Sequence, residues 1–130
     1  MKKFLALIIG LFSITCIVLA EDKQWVCLTE HANGFDNENG EWVHSVYRPE
    51  GKFIVKNKNG VWSVYDYSSE VEFVYCKIIL GVGVYCSKVG MSNFFFHTDR
   101  LKFTHSITAP YIWDNTKAPV TTKLGKCAPL

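Results

Sequence analysis

The sequence lacks the common signatures of an enzyme. It contains no Gly-x-Ser-x-Gly elbow, which would indicate a serine nucleophile. Gly81-Val82-Gly83 does not continue into a dinucleotide-binding loop, because the third glycine of the Gly-x-Gly-x-x-Gly motif is missing. The cysteines also lack the Cys-x-x-Cys spacing that a zinc site favours. An enzyme is therefore the third hypothesis, behind two kinds of binding protein.

The chain also lacks a charge excess once its first twenty residues are set aside. It has 14 Lys and Arg against 12 Asp and Glu, and removal of Lys2 and Lys3 leaves 12 against 12. A balanced charge gives no long-range attraction to polyanions. We therefore expect neither a nucleic-acid partner nor an anionic-membrane partner.

No stretch after residue 20 has a helical period, whereas alternation of apolar and polar residues is frequent. The segment "LKFTHSI" places Leu101, Phe103, His105 and Ile107 on one face of a strand. The segment "VWSVYDY" places Trp62, Val64 and Asp66 on one face. Seventeen of the 110 residues from Glu21 onward are aromatic, which also favours strands.

The first twenty residues have the three parts of a secretory signal peptide. Lys2 and Lys3 are followed by an apolar run and then by Val18-Leu19-Ala20, after which the sequence becomes polar. We expect cleavage after Ala20, a periplasmic or secreted product, and one domain over residues 21–130 without a stable membrane anchor. An uncleaved anchor and a lipoprotein at Cys16 are the alternatives.

Four cysteines remain after that cleavage, and an even number in a short exported chain indicates disulfides. Three pairings are possible. We favour Cys27–Cys127, which would join the two ends of the chain, and Cys76–Cys86, which a turn at Gly81 would place opposite each other. The cysteine near the end of the chain, in "KLGKCAPL", would then fasten the last strand to the first.

Turn signals divide the sequence into short segments. Asn33-Gly34, Asn39-Gly40 and Asn59-Gly60 each have the dipeptide that is most typical of a two-residue hairpin. The last two lie in similar segments, "NENGEW" and "NKNGVW". We predict an all-β fold of eight or nine short strands in an antiparallel meander, closed or nearly closed into a barrel, with a β-sandwich as the alternative.

The aromatic residues are the main candidates for a binding site. Three consecutive phenylalanines cannot all face one side of a strand, so either both faces are covered or one ring lies at a surface. The candidate binding residues are Trp42, Trp62, Phe94, Phe95 and Phe96. His105 alternates with apolar residues and is expected to be buried and hydrogen-bonded, so neither a metal nor a cofactor is predicted.

Several features resemble known exported proteins. The signal peptide, the aromatic-x-Cys of Trp25-Val26-Cys27, the meander and the last cysteine are together similar to the small periplasmic inhibitors of lysozyme. That resemblance implies an antiparallel barrel with a disulfide. The chain lacks the Ser-Gly pair of that family's inhibitory loop, so no functional residue is carried over.

Two further resemblances concern short motifs. Gly40-Glu41-Trp42 and Gly60-Val61-Trp62 match the Gly-x-Trp signature of lipocalin-like barrels. The Gly125-Lys126-Cys127 close to the end is similar to that of small exported proteobacterial proteins. Neither motif specifies an activity.

The leading hypothesis is a monomeric, exported binding module that acts by surface contact, as an inhibitor of a secreted or host enzyme does. The alternative is a carrier of a small apolar ligand, with a cavity inside the barrel. The direction in which the aromatic side chains point distinguishes the two. The partner is accordingly a protein or a small apolar molecule.

Overall fold

The computed structural model describes residues 22–79, 81, 83–88, 92–112 and 117–130. The expected signal peptide therefore lies outside the described residues. The strands are β1 (Lys23–Glu38), β2 (Glu41–Tyr47), β3 (Lys52–Lys58), β4 (Val61–Asp66), β5 (Val71–Phe73), β6 (Tyr75–Ile79), β7 (Gly83–Lys88), β8 (Ser92–His97), β9 (Lys102–Ile107) and β10 (Val120–Pro129). One 3-10 helix, Ala109–Tyr111, follows β9.

The strands form one antiparallel, nearly closed barrel, as the sequence predicts. Nine of them follow the order β5-β4-β3-β1-β10-β9-β8-β7-β6, and β2 pairs with β1 beside this path. The two edge strands, β5 and β6, are consecutive in the chain, and Cys76 Sγ lies 3.6 Å from the carbonyl oxygen of Phe73. The edges are therefore held side by side. No helix in the described ranges is both long and apolar enough to cross a membrane.

The first and last strands pair in the middle of the sheet. β1 is 16 residues long, and β10 lies antiparallel to it from Trp25–Pro129 to Phe35–Val120. Cys27 and Cys127 are directly opposite in this ladder and form the expected disulfide. The prediction that "KLGKCAPL" fastens the end of the chain is thus confirmed.

The second predicted disulfide is also present. Cys76 on β6 is paired with Cys86 on β7 in the register that a turn at Gly81 predicts. Gly81 has a φ of +69°, a conformation that glycine adopts without the steric cost of a Cβ. The bridge therefore fastens the edge strand β6 to β7, since β6 pairs with no other strand among the described residues.

The repeated Asn-x-Asn-Gly segments form two hairpin turns of the same kind. Asn39 and Asn59 have φ values of +55° and +53°, and the glycine after each also has a positive φ. In both turns the first asparagine, Asn37 or Asn57, accepts a hydrogen bond from the glycine N–H, at 2.8 and 3.0 Å. The repeat is thus explained by local turn chemistry.

The prediction of a hairpin turn at Asn33-Gly34 is wrong. Both residues lie inside β1, and a Cβ on Gly34 would lie 1.8 Å from the carbonyl oxygen of Val120 on β10. Glycine is present there because the β10 backbone approaches too closely for any side chain. The Asn-Gly pair indicates close strand contact at this position instead of a turn.

The barrel interior is filled by aromatic and aliphatic side chains. Phe53 packs against Phe94, Phe103 and His105 with ring centroids 5.0–5.2 Å apart. At the other end of the interior, Trp25 stacks on Trp62 at 5.5 Å. The core cluster comprises Cys27, Phe53, Val55, Val64, Phe73, Val84, Cys86, Phe94, Phe96, Phe103 and Cys127.

The two disulfides should differ in their effect on stability. They close loops with sequence separations of 100 and 10 residues, for which loop entropy gives about 5 and about 3 kcal/mol. We expect the double variant Cys27→Ala/Cys127→Ala to lose about 2 kcal/mol more unfolding free energy than Cys76→Ala/Cys86→Ala. Urea denaturation of both variants would measure this, and equal losses would contradict it.

Gly34→Ala should be strongly destabilising. The added methyl group meets backbone on β10, which cannot move without breaking the central ladder, so we expect a loss of about 3 kcal/mol. Gly40→Ala is the matched control, because nothing lies within 4 Å of its Cβ and only its positive φ is unfavourable. Its expected loss is about 1 kcal/mol. Thermal unfolding of the two variants would distinguish a steric cause from a conformational one.

Candidate functional site

The five candidate aromatic residues occupy different environments. Phe94 and Phe96 are fully buried in the barrel, whereas Phe95 between them faces outward and is only partly covered. Trp62 is half-buried in its stack with Trp25. Trp42 lies on the outer surface. The consecutive phenylalanines therefore divide between the two faces of β8. Phe94, Phe96 and Trp62 lie in or against the barrel core, whereas Phe95 and Trp42 line two different outer grooves.

One outer surface is an apolar groove, defined by Phe35, Trp42, Thr108, Tyr111, Ile112 and Val120. Phe35 and Val120 are directly opposite each other on β1 and β10, and Trp42 lies on β2. The 3-10 helix forms the other wall. The groove has a volume of about 440 Å³.

Local packing holds the two walls of the apolar groove together. The rings of Trp42 and Tyr111 are 5.6 Å apart, and Pro110 anchors the 3-10 helix in a buried position. Tyr111 and Ile112 are nevertheless 65% and 76% exposed, and Phe35 is 45% exposed. These side chains form a concentrated apolar patch, and exposed patches of this kind commonly mark interaction sites.

The hairpin that carries Phe35 and Trp42 is fixed from its opposite face. The Tyr47 hydroxyl donates a hydrogen bond of 2.8 Å to the Asp36 carboxylate. Hydrogen bonds from Ser45 and then Tyr47 hold the pKa of Asp36 below its ordinary value. Burial, followed by the bond to Asp36, raises the pKa of Tyr47. The carboxylate thus remains ionised, and this bond persists, at neutral pH.

A second surface is a basic groove of about 460 Å³ on the outside of β8, β9, β10 and β1. Phe95, Thr104, Leu124 and His31 form its floor in one row across the four strands. His97, Lys102 and Lys126 form the next row, and Arg100 lies in the turn above. Glu30 is the acidic residue that lines it.

His105 is the titratable side chain buried deepest among the rings. It is 2% exposed, and its Nδ1 has no hydrogen-bond partner among the described residues. Burial lowers its pKa to about 4; Asp66 opposes this shift, and Lys123 adds to it. The expected burial is confirmed, whereas the structure gives no partner for Nδ1. His97, on the preceding strand, faces the opposite side of the sheet.

Neither a metal-binding cluster nor a free thiol is present among the described residues. They hold no group of three or more His, Cys, Asp or Glu side chains placed to bind a metal ion. All four cysteines of these ranges are in disulfides, so none is available as a thiolate. The disulfides themselves are typical of an oxidising compartment outside the cytosol.

Comparison with known proteins adds no assignment. No family model matches the chain, and no curated protein or solved structure is significantly similar to it. The resemblances to lysozyme inhibitors and to lipocalin-like barrels therefore stay predictions.

Sequence reasoning identified one member of each groove, Trp42 and Phe95, and missed the others. The apolar groove depends on Tyr111 and Ile112, which lie in a connection without periodicity. The basic groove could have been found from "LKFTHSI", where Lys102 and Thr104 alternate with the buried residues. The sequence of β9 alone, however, does not show which strands lie beside Lys102 and Thr104.

Acid should destabilise the protein through His105. The pKa of its unfolded state is 6.5 and that of its folded state is about 4, so between these values the unfolded chain binds a proton that the folded chain does not. The contribution is fully present above pH 6.5 and is lost as the pH falls, at about 1.4 kcal/mol per pH unit.

Urea unfolding of the wild type and of His105→Leu, between about pH 7 and about pH 4.5, would test this. We expect the variant to lose most of this dependence, whereas His44→Gln, which changes an exposed histidine, should keep it. An unchanged pH dependence in His105→Leu would contradict the assignment.

Proposed function

We propose that the protein is an exported binding module that inhibits or sequesters a secreted or host enzyme by surface contact, with the apolar groove as its principal contact. The observation that carries the proposal is the exposure of Tyr111, Ile112 and Phe35 around a concave surface on a disulfide-bonded barrel. A protruding apolar side chain of the partner would fill the groove. The occupant is thus a folded protein with an aliphatic or aromatic anchor.

Rigidity supports this function. The walls of the groove are attached to β1 and β10, which are cross-linked at Cys27–Cys127. A surface that is ordered before binding loses little conformational entropy on association, and more of the contact energy remains as affinity. Aromatic side chains such as Trp42 and Tyr111 are also the types that contribute most strongly to protein interfaces.

The packing inside the barrel weighs against the carrier hypothesis. Phe53, Phe94, Phe96 and Phe103 are buried, and the rings of Phe94 and Phe103 stack 5.2 Å apart where a ligand would have to lie. A carrier would need these rings to line an empty space. Surface contact requires no such space.

Inhibition assays with purified, oxidised protein would test the proposal. A panel of secreted hydrolases should be assayed, beginning with lysozyme because of the sequence resemblance. We expect stoichiometric inhibition of at least one enzyme. Trp42→Ala should weaken inhibition about 30-fold, which corresponds to the loss of one interface hot spot, a class enriched in tryptophan.

Val61→Ala is the matched control, because Val61 is also exposed and also follows an Asn-Gly turn, but lies away from the groove. It should inhibit like the wild type. Equal inhibition by Trp42→Ala would exclude the apolar groove as the contact. Native mass spectrometry of the same preparation tests the carrier hypothesis, which a co-purifying small apolar molecule would favour.

A further inference from the structure

We propose that the basic groove binds a short acidic peptide segment of a protein partner. Carboxylates of the peptide would contact the row of His97, Lys102 and Lys126, and an apolar side chain would lie on the floor. This site is separate from the apolar groove, so the proposal does not require that the apolar groove binds an enzyme.

The first argument is a row of basic side chains that is only partly neutralised. Lys126 and Lys102 are directly opposite each other on β10 and β9, and His97 is directly opposite Lys102 on β8. The two lysines are like charges directly opposite on neighbouring strands, an arrangement that is destabilising. Within the described ranges, only Lys126 has an acidic partner, Glu30, at 3.2 Å. A carboxylate bound between the two lysines would remove the repulsion.

The basic side chains of the groove offer hydrogen-bond donors. The backbone N–H of Arg100 donates to Nδ1 of His97 at 3.1 Å, so in the neutral imidazole Nε2 carries the hydrogen. Arg100 and Lys102 offer donors only. Such a set is complementary to an acceptor with several lone pairs, and carboxylate oxygens are acceptors of this kind.

The floor of the groove supplies the apolar part of the site. Phe95 lies against Gly83 on the neighbouring strand, where a Cβ would be 2.3 Å from its ring, so the absent side chain lets the ring lie across the sheet. Leu124 is 41% exposed on the same row as Phe95. An apolar side chain between two acidic residues would contact both.

A short peptide segment fits this surface better than other anions do. A lipid surface is flat and cannot follow a concave groove. A long polyanion requires a positive field over many charges, whereas the chain after residue 20 has 12 basic and 12 acidic residues. The row of basic side chains in the groove extends over three adjacent strands, which span about 10 Å. This width suits two or three side chains of a bound peptide.

Fluorescence anisotropy with a labelled synthetic peptide that alternates glutamate with leucine would test the proposal. We expect saturable binding that weakens between about 50 mM and about 500 mM salt, and no binding of the peptide with glutamine in place of glutamate. Lys102→Glu should weaken binding at least tenfold. The melting temperature of this variant should be unchanged or raised, because the opposed lysine pair is removed.

Three further variants make the test specific. Glu30→Gln should strengthen binding, because it frees Lys126. Gly83→Ala should weaken binding without a change in charge, because it displaces the Phe95 ring. Lys56→Glu is the matched control on the exposed face of β3, away from the groove, and should bind like the wild type.

Several outcomes would overturn the proposal. These are failure of the wild type to bind the glutamate peptide, equal loss in Lys102→Glu and Lys56→Glu, and equal binding of the glutamine peptide. Tighter binding of a sulfated oligosaccharide or of phosphatidylserine vesicles, lost in Lys102→Glu, would assign the groove to a polyanion or a membrane instead.

Discussion

The architecture depends on the pairing of the first strand with the last. β1 and β10 lie at the centre of the sheet order, with β3, β4 and β5 on one side and β9, β8, β7 and β6 on the other. Such a contact joins residues about 100 positions apart, so it is formed at a high entropic cost. The Cys27–Cys127 bridge lowers the conformational entropy of the unfolded chain, so less entropy is lost when the two strands pair. The first and last strands thus lie at the centre of the sheet, although terminal segments commonly fray.

An irregularity in β1 connects this pairing to the two grooves. The register with β10 shifts between Thr29 and His31. Before the shift, β1 pairs with β3 and belongs to the barrel wall; after it, β1 pairs with β2. The bulge also resets the alternation, so that Cys27 and then Ala32 are buried. Phe35 and His31 consequently lie on the outer face, where each contributes to one of the two grooves.

The sequence predicts most of the fold because its signals are local and agree with one another. Alternation in "LKFTHSI" identifies Phe103 and His105 as inward-facing, and the Cys76–Cys86 register follows from the position of Gly81. The failure at Asn33-Gly34 has a nonlocal cause, since Gly34 accommodates the β10 backbone. The grooves are nonlocal in the same sense. Each groove combines side chains from several strands, and these strands become neighbours only because β1 pairs with β10.

Both grooves lie on the outer face of the same central strands. Val120 belongs to the apolar groove and Leu124 to the basic groove, and they are four residues apart on β10. Strand geometry separates them by about 13 Å, which is well within the span of an ordinary protein interface. If both proposals hold, one partner of ordinary size would contact both grooves, with the apolar groove contributing affinity and the basic groove orientation. Under these proposals the local cluster of basic residues would orient the partner, although the residues after position 20 have 12 basic and 12 acidic side chains. Orienting a partner requires charge at the interface and not over the whole surface.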